Sequence, residues 1–264
     1  MAPPDLPDSP TLTRRAGLVR DQVAHPPLGA RRASGTDAPV RVGVTGTGTE
    51  LLVLAWSAAE LAAERAAGAR LLAALGVHPG MPVANALPGA LATPGALLLG
   101  DVVEALGALD VPLGVIESTA AAGPAWELFD RVRPRVLVLD ATSAAALLAA
   151  VPPLPRPWWQ GIVWLRRGTA PAAAHLFVPE AAGFRGWQRS WLAVPEVTSF
   201  VAWSCHAGAH HLDPGVAAEV VDGTLVLTAL ASAVSPRRYV SDVGARGLAT
   251  TCRCGQPGPV VELT

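Results

Sequence analysis

Hydrophobic and polar positions repeat along this chain with two different periods, and their order predicts an α/β protein. Apolar runs at 40–44 and 51–56 read as strands flanking a glycine/threonine turn. From Ser57 the period lengthens. Leu61, Leu71, Leu72 and Leu75 recur at helical spacing, and Ser57 with Glu60 forms a capping box opening a helix that ends at Gly76. Apolar runs then alternate with helical stretches: a strand near Val83, a helix over 94–107, a strand at 111–116, a helix over 125–133, a strand at 135–139, a helix over 143–150 and a strand at 161–164. That order predicts a Rossmann-like, largely parallel sheet layered with helices. Beyond Val216 the texture changes to Val/Thr/Leu pairs around Asp222-Gly223, an antiparallel hairpin signal. The expected division is an N-terminal arm at 1–40, an α/β core at 41–200 and a smaller β-rich lobe at 201–264.

Composition narrows the function classes. The chain has 264 residues, 51% of them hydrophobic, enough to fill a proper core. Its net charge is −1 and its arginines are dispersed in ones and twos, so no basic face points to nucleic acid or an acidic membrane. The first twenty residues contain no continuous apolar stretch. The apolar run over 96–113 is broken by Gly100, Asp101, Glu104 and Asp110, so no membrane span is expected and the reading is a soluble, cytoplasmic protein.

Two features carry candidate chemistry. The first is the loop Thr45-Gly46-Thr47-Gly48-Thr49-Glu50, which can be a phosphate cradle of backbone N–H groups and hydroxyls or a plain hairpin turn. Such a cradle is completed by a cation, but Glu50 is anionic and the chain contains no lysine. Unit charges about 5 Å apart at an effective dielectric near 20 interact by roughly 3 kcal/mol, so exchanging a cation for Glu50 works against a bound triphosphate. The second feature is Cys205, Cys252 and Cys254 with His210 and His211 close behind the first. In a reducing compartment these are either ordinary thiols or three ligands of a Cys3His zinc site, a filled tetrahedron with a structural role.

The order of these elements resembles a shortened member of the phenylacetate-CoA ligase family, within the adenylate-forming (AMP-binding, ANL) superfamily. Residues 45–50 stand at its phosphate loop, and Trp56-Ser57 with Glu60-Leu61 continues as its next helix does. Gly76-Val77-His78-Pro79-Gly80 resembles its Gly-Val-x-Pro-Gly step. Cys205, Gly208-Ala209-His210, Leu225-Val226-Leu227-Thr228, Arg238-Tyr239 with Asp242, and Cys252-Arg253-Cys254-Gly255 then follow in the family's order. The resemblance implies an ANL-type large domain with a zinc-stapled lobe, with Cys205, His210, Cys252 and Cys254 as metal ligands and Thr45, Gly46, Thr47, Gly48, Thr49 and Asp242 as a vestigial nucleotide site. It also marks departures. Of the family's Tyr-Gly-x-Thr-Glu motif only Glu196 is kept, and the sequence ends at Thr264, short of the C-terminal domain that carries the family's catalytic lysine. ATP is therefore not expected as a cofactor.

Glu196, His206, His211 and Glu50 remain as general acid/base material, since histidine titrates near neutrality and a carboxylate in an apolar cleft can be raised toward it. Trp158, Trp159, Trp164, Trp187, Trp191 and Trp203 either wall a pocket for an acyl, aromatic or polyketide-like substrate or pack a core or homodimer interface. Asn85, Leu87 and Pro88 fall at the family's substrate-binding stretch. The leading expectation is an ATP-independent biosynthetic enzyme performing hydrolysis, dehydration or cyclisation. The alternatives are an acyl- or aryl-CoA ligase completed by another chain, and a non-catalytic binding pseudoenzyme.

Overall fold

A computed structural model describes residues 11–33, 37–87, 94–114, 116–150, 158–167, 186–230, 232 and 235–264. Pro88 lies outside them.

Thirteen strands form one 11-stranded mixed sheet and a separate two-stranded hairpin among the described residues. The hairpin is β1 (Arg41–Thr45) and β2 (Leu52–Trp56), antiparallel, with Thr45 opposite Leu52. The glycine loop is the turn that joins them. Helix α3 (Ala58–Ala74) follows at once, after α1 (Arg15–Ala24) and α2 (Ala30–Ala33) in the arm. The capping box of α3 is formed as the sequence predicts: the Glu60 amide donates to Ser57 Oγ (3.2 Å), and the Ser57 amide donates to the Glu60 carboxylate (2.8 Å).

The parallel half of the sheet runs β4-β3-β5-β6-β7, from β3 (Pro82–Asn85), β4 (Leu109–Pro112), β5 (Val136–Leu139), β6 (Gly161–Arg167) and β7 (Trp187–Val194). Strand alternation sends Val136 and Val138 into a core shared with α3 and α4 (Pro94–Ala105), and Leu137 and Leu139 into a second core beneath α5 (Thr119–Val132) and α6 (Ala141–Ala149). At β7 the direction reverses. β8 (Thr198–Ser204) pairs antiparallel with it, followed across the sheet by β9 (His210–Leu212), β13 (Val260–Leu263), β12 (Tyr239–Ala249), β11 (Thr224–Ala229) and β10 (Val216–Val221). β10 and β11 form the expected hairpin, whose turn needs the positive φ of Asp222 (50°) and Gly223 (73°).

The mixed α/β architecture agrees with the sequence pattern, and its departures have local causes. α5 begins six residues earlier than the apolar pattern suggests, because Ser118 caps it by accepting from the Ala121 amide and Pro124 is accommodated within it. β4 starts at Leu109 rather than 111. β7 and β8, unmarked in the sequence reading, hold Trp191 and Phe200, whose rings stack 4.8 Å apart. Helix α1 also went unmarked: none of its residues is buried, so it leaves no apolar stripe to read.

Candidate functional site

The turn that switches the sheet from parallel to antiparallel is Pro195-Glu196-Val197, and Glu196 is 8% exposed there. Its carboxylate pairs with Arg15 from the first turn of α1. The same guanidinium donates through Nη2 to the carbonyl oxygens of Thr45 (2.7 Å) and Glu50 (2.6 Å), at either end of the glycine loop. Gly46, at φ 78°, is required here: a Cβ would stand 2.2 Å from Arg15 Nη2 and 2.5 Å from Glu50 O.

This geometry corrects the electrostatic expectation for the loop. A cation does stand at it, supplied by a distant arginine rather than by a lysine within the motif. The loop turns carbonyl acceptors toward that cation, while the Glu50 side chain is exposed. Of the nucleotide-site residues expected from sequence, the structure brings together the Thr45–Glu50 turn, Glu196 and Asp242, with Tyr239 added. Burial pushes the Glu196 carboxyl above the usual carboxylate range. It outweighs the residue's own backbone N–H, the Arg15 charge and a Tyr239 hydrogen bond, and the Asp242 charge adds to it. The Tyr239 phenol is pushed up as well, by burial and then by Glu196.

Behind the hairpin lies a cavity of about 340 Å³, walled by β2, α3, the arm (Leu18, Gln22, Arg32) and the Glu196 turn. Its volume is at the lower end of small-molecule sites. Trp56 lines it and none of the six tryptophans considered from sequence does; Trp164 and Trp191 are fully buried in the two main cores, which resolves them as packing residues. The cavity wall includes a group the sequence reading missed. Glu64, on α3, accepts from the Ser199 amide (3.1 Å) and the Thr198 hydroxyl (3.1 Å), and burial raises its carboxyl to about 7. It stands one turn beyond the capping Glu60 in an Ala/Leu/Arg segment that reads as plain helix.

A second group gathers around the cysteines. Cys205, His211, Cys252 and Cys254 offer ligand atoms that all lie within 4.8 Å of one another. Cys205 Sγ is 3.6 Å from Cys252 Sγ, and His211 Nε2 is 3.1 Å from Cys254 Sγ. The edge of a zinc–thiolate tetrahedron is roughly 3.8 Å for bonds near 2.3 Å, so the donor set and its spacing fit one tetrahedral ion. The expected ligand His210 is corrected to His211. On β9 adjacent residues face opposite sides of the sheet, which carries His211 to the sulfurs and His210 to Ser190, whose Oγ is 2.7 Å from His210 Nε2. Burial and then the Arg166 and His211 charges lower His210 to about 4. His211 lies in this cluster and stacks on Trp203, and His206 is an exposed turn residue. The described contacts of Glu196 reach neither histidine.

The fold is that of the AMP-forming acyl-CoA ligases. A 2-hydroxyisobutyryl-CoA ligase, in an open conformation with 2-HIB-AMP and CoA, superposes with a TM-score of 0.82 at 17% identity, over 95% of this chain and 62% of that one. An acyl-CoA synthetase (AMP-forming)/AMP-acid ligase II-like protein from Dyadobacter fermentans gives 0.56 at 13% identity, over 96% and 68%. A long-chain-fatty-acid-CoA ligase from Archaeoglobus fulgidus gives 0.55 at 13%, over 72% and 42%. This chain thus spans about three-fifths of the 2-hydroxyisobutyryl-CoA ligase. No family model and no curated protein matches it. Among the described residues no helix is long and apolar enough to cross a membrane.

Proposed function

We propose that this chain is an ATP-independent enzyme for a small acyl, aromatic or polyketide-like molecule, built on the phenylacetate-CoA ligase branch of the acyl-CoA ligase fold. Glu196 is its acid/base group. The observation that carries this reading is a buried carboxyl with a raised pKa on the wall of a small-molecule cavity, beside a glycine loop whose inward carbonyls are taken up by Arg15. A carboxylate so placed can take a proton from a substrate or a water and return it to a departing oxygen, which serves hydrolysis, dehydration or ring closure alike. His211 is withdrawn from this chemistry because it belongs with the sulfurs, where we assign it with Cys205, Cys252 and Cys254 to a structural zinc. That ion would tie the 205–211 segment to the 252–254 turn and leave no open position for substrate.

One observation favours a second reading, an ATP-dependent acyl-CoA ligase: Arg15 is a cation at the position where a phosphate loop uses one. Calorimetry with ATP and magnesium separates the two. The first reading expects no heat of binding, and micromolar affinity revives the second. With turnover in hand, Glu196→Gln is expected to lower kcat by about 100-fold or more, while the melting temperature stays within a few degrees of wild type. Undiminished turnover removes Glu196 from the chemistry.

A further inference from the structure

We infer that helix α1 is a lid over the cavity, closed by Arg15 as a latch across the glycine hairpin and Glu196.

The lid is pinned at both ends. On its N-terminal side Thr13 bridges to β12: its amide donates to Arg238 O (3.0 Å), its carbonyl accepts from the Val240 amide (2.9 Å), and its hydroxyl donates to Arg237 O (2.8 Å). On the far side Arg32, 9% exposed in its side chain, pairs with Glu60 at 2.7 Å, on the first turn of α3. Between these anchors the apolar hold on the helix includes Leu18, half-buried against the core of the antiparallel strands. α1 buries none of its residues, whereas α3 buries six.

Beyond Leu18, what holds α1 down is polar and reversible. Arg15 contacts Glu196, the Thr45 and Glu50 carbonyls and Tyr239. One helical turn past Leu18, Gln22 acts as a clasp: its side-chain amide donates to Val53 O (2.6 Å) and its carbonyl accepts from the Val53 amide (3.0 Å), copying one rung of a β-ladder on the middle of β2. Segments attached by exposed or half-buried polar contacts, with little apolar burial, occupy the low-stability end of a fold and open without global unfolding. Leu18 and Gln22 wall the cavity directly, so lifting α1 uncovers it and frees Glu196 from its counter-ion in the same movement. The loop is shaped for the closed state, because the missing Cβ at Gly46 is the space that Arg15 Nη2 fills. The device depends on no chemistry at Glu196, and its test needs no turnover.

Hydrogen exchange on the full chain, read peptide by peptide, tests it with Arg15→Gln and Gln22→Ala. Each is expected to speed exchange over Arg15–Ala24 by about tenfold while β5 keeps its protection, since a local opening leaves the core closed. Binding of 1-anilinonaphthalene-8-sulfonate, which fluoresces on entering apolar cavities, should rise in both variants. Arg15→Lys keeps the charge but loses the planar fork, and intermediate exchange is expected. The lid is overturned if α1 exchange changes by less than about twofold, if α1 and β5 accelerate together, if the dye does not respond, or if Arg15→Lys matches Arg15→Gln.

Discussion

The parallel and antiparallel halves of the sheet are built from the same apolar residue types, yet they do different work. In the parallel half the central strands β3, β5 and β6 put alternate side chains into two cores, and β5 is fully buried along its length. Its side chains pack and carry no chemistry. The antiparallel half has an inner core of its own, from Leu192 to Val261, and holds the cysteine–histidine cluster. Several ionisable groups collect where the halves meet: Glu196 in the turn between β7 and β8, Glu64 against β8, and Arg15 with Tyr239 and Asp242 alongside. Reversing strand direction places a buried polar turn between the two halves, beside the cavity, and that is where a cavity and shifted pKa values coexist. In these two halves packing and reactivity are separated along the sheet.

The sharpest way to break that comparison is to remove packing from the parallel half. Leu137→Ala, at the centre of β5, is expected to cost about 2–5 kcal/mol, read by urea denaturation. A cost under about 1 kcal/mol would mean this half is no better packed than a surface.

Next in size is the junction. Glu64 has a folded pKa of about 7, against about 4.5 for an ordinary glutamate in the unfolded chain. Between those values the folded state binds more protons than the unfolded state, so stability is greatest below about 4.5 and falls as pH rises toward 7, by about 3 kcal/mol in all. Glu64→Gln is expected to flatten that slope, measured as unfolding free energies from pH 5 to 8. An unaltered slope would place the titration elsewhere.

The smallest effect on the whole chain is expected at the metal cluster, which lies outside the apolar core of the antiparallel half. Elemental analysis should find about one zinc per chain, lost in Cys252→Ser. The melting temperature should fall by only roughly 2–4 °C, near 1 kcal/mol. Metal-free wild type of full stability would reduce the cluster to three thiols and a histidine.

Much of the fold is legible in the sequence because its signals are local. The capping box at Ser57 and Glu60 forms as read, the Asp222-Gly223 turn closes its hairpin, and the alternation of strands and helices between Val83 and Trp164 gives the parallel sheet. The site was legible only in its parts. Glu196, the glycine loop, Asp242 and the three cysteines were recognised by residue type and order. Arg15 was not, because an arginine in a helix that buries nothing has no neighbour in sequence to betray its partner 181 positions away. Glu64 hid for a similar reason, as its burial comes from β8 packing on α3 rather than from its own helix.

The choice between His210 and His211 shows where that boundary falls. Spacing supplies a Cys3His set and cannot rank two adjacent histidines; the pairing of β9 with β13 and β8 decides, since one residue of register exchanges the faces of a strand. The sequence by itself determined element types, turn chemistry and ligand inventory, all fixed by interactions within a few residues. Tertiary structure alone decided which cation meets the glycine loop, which carboxyls are desolvated and which imidazole joins the sulfurs, because charge, burial and coordination depend on distances between segments remote in the chain.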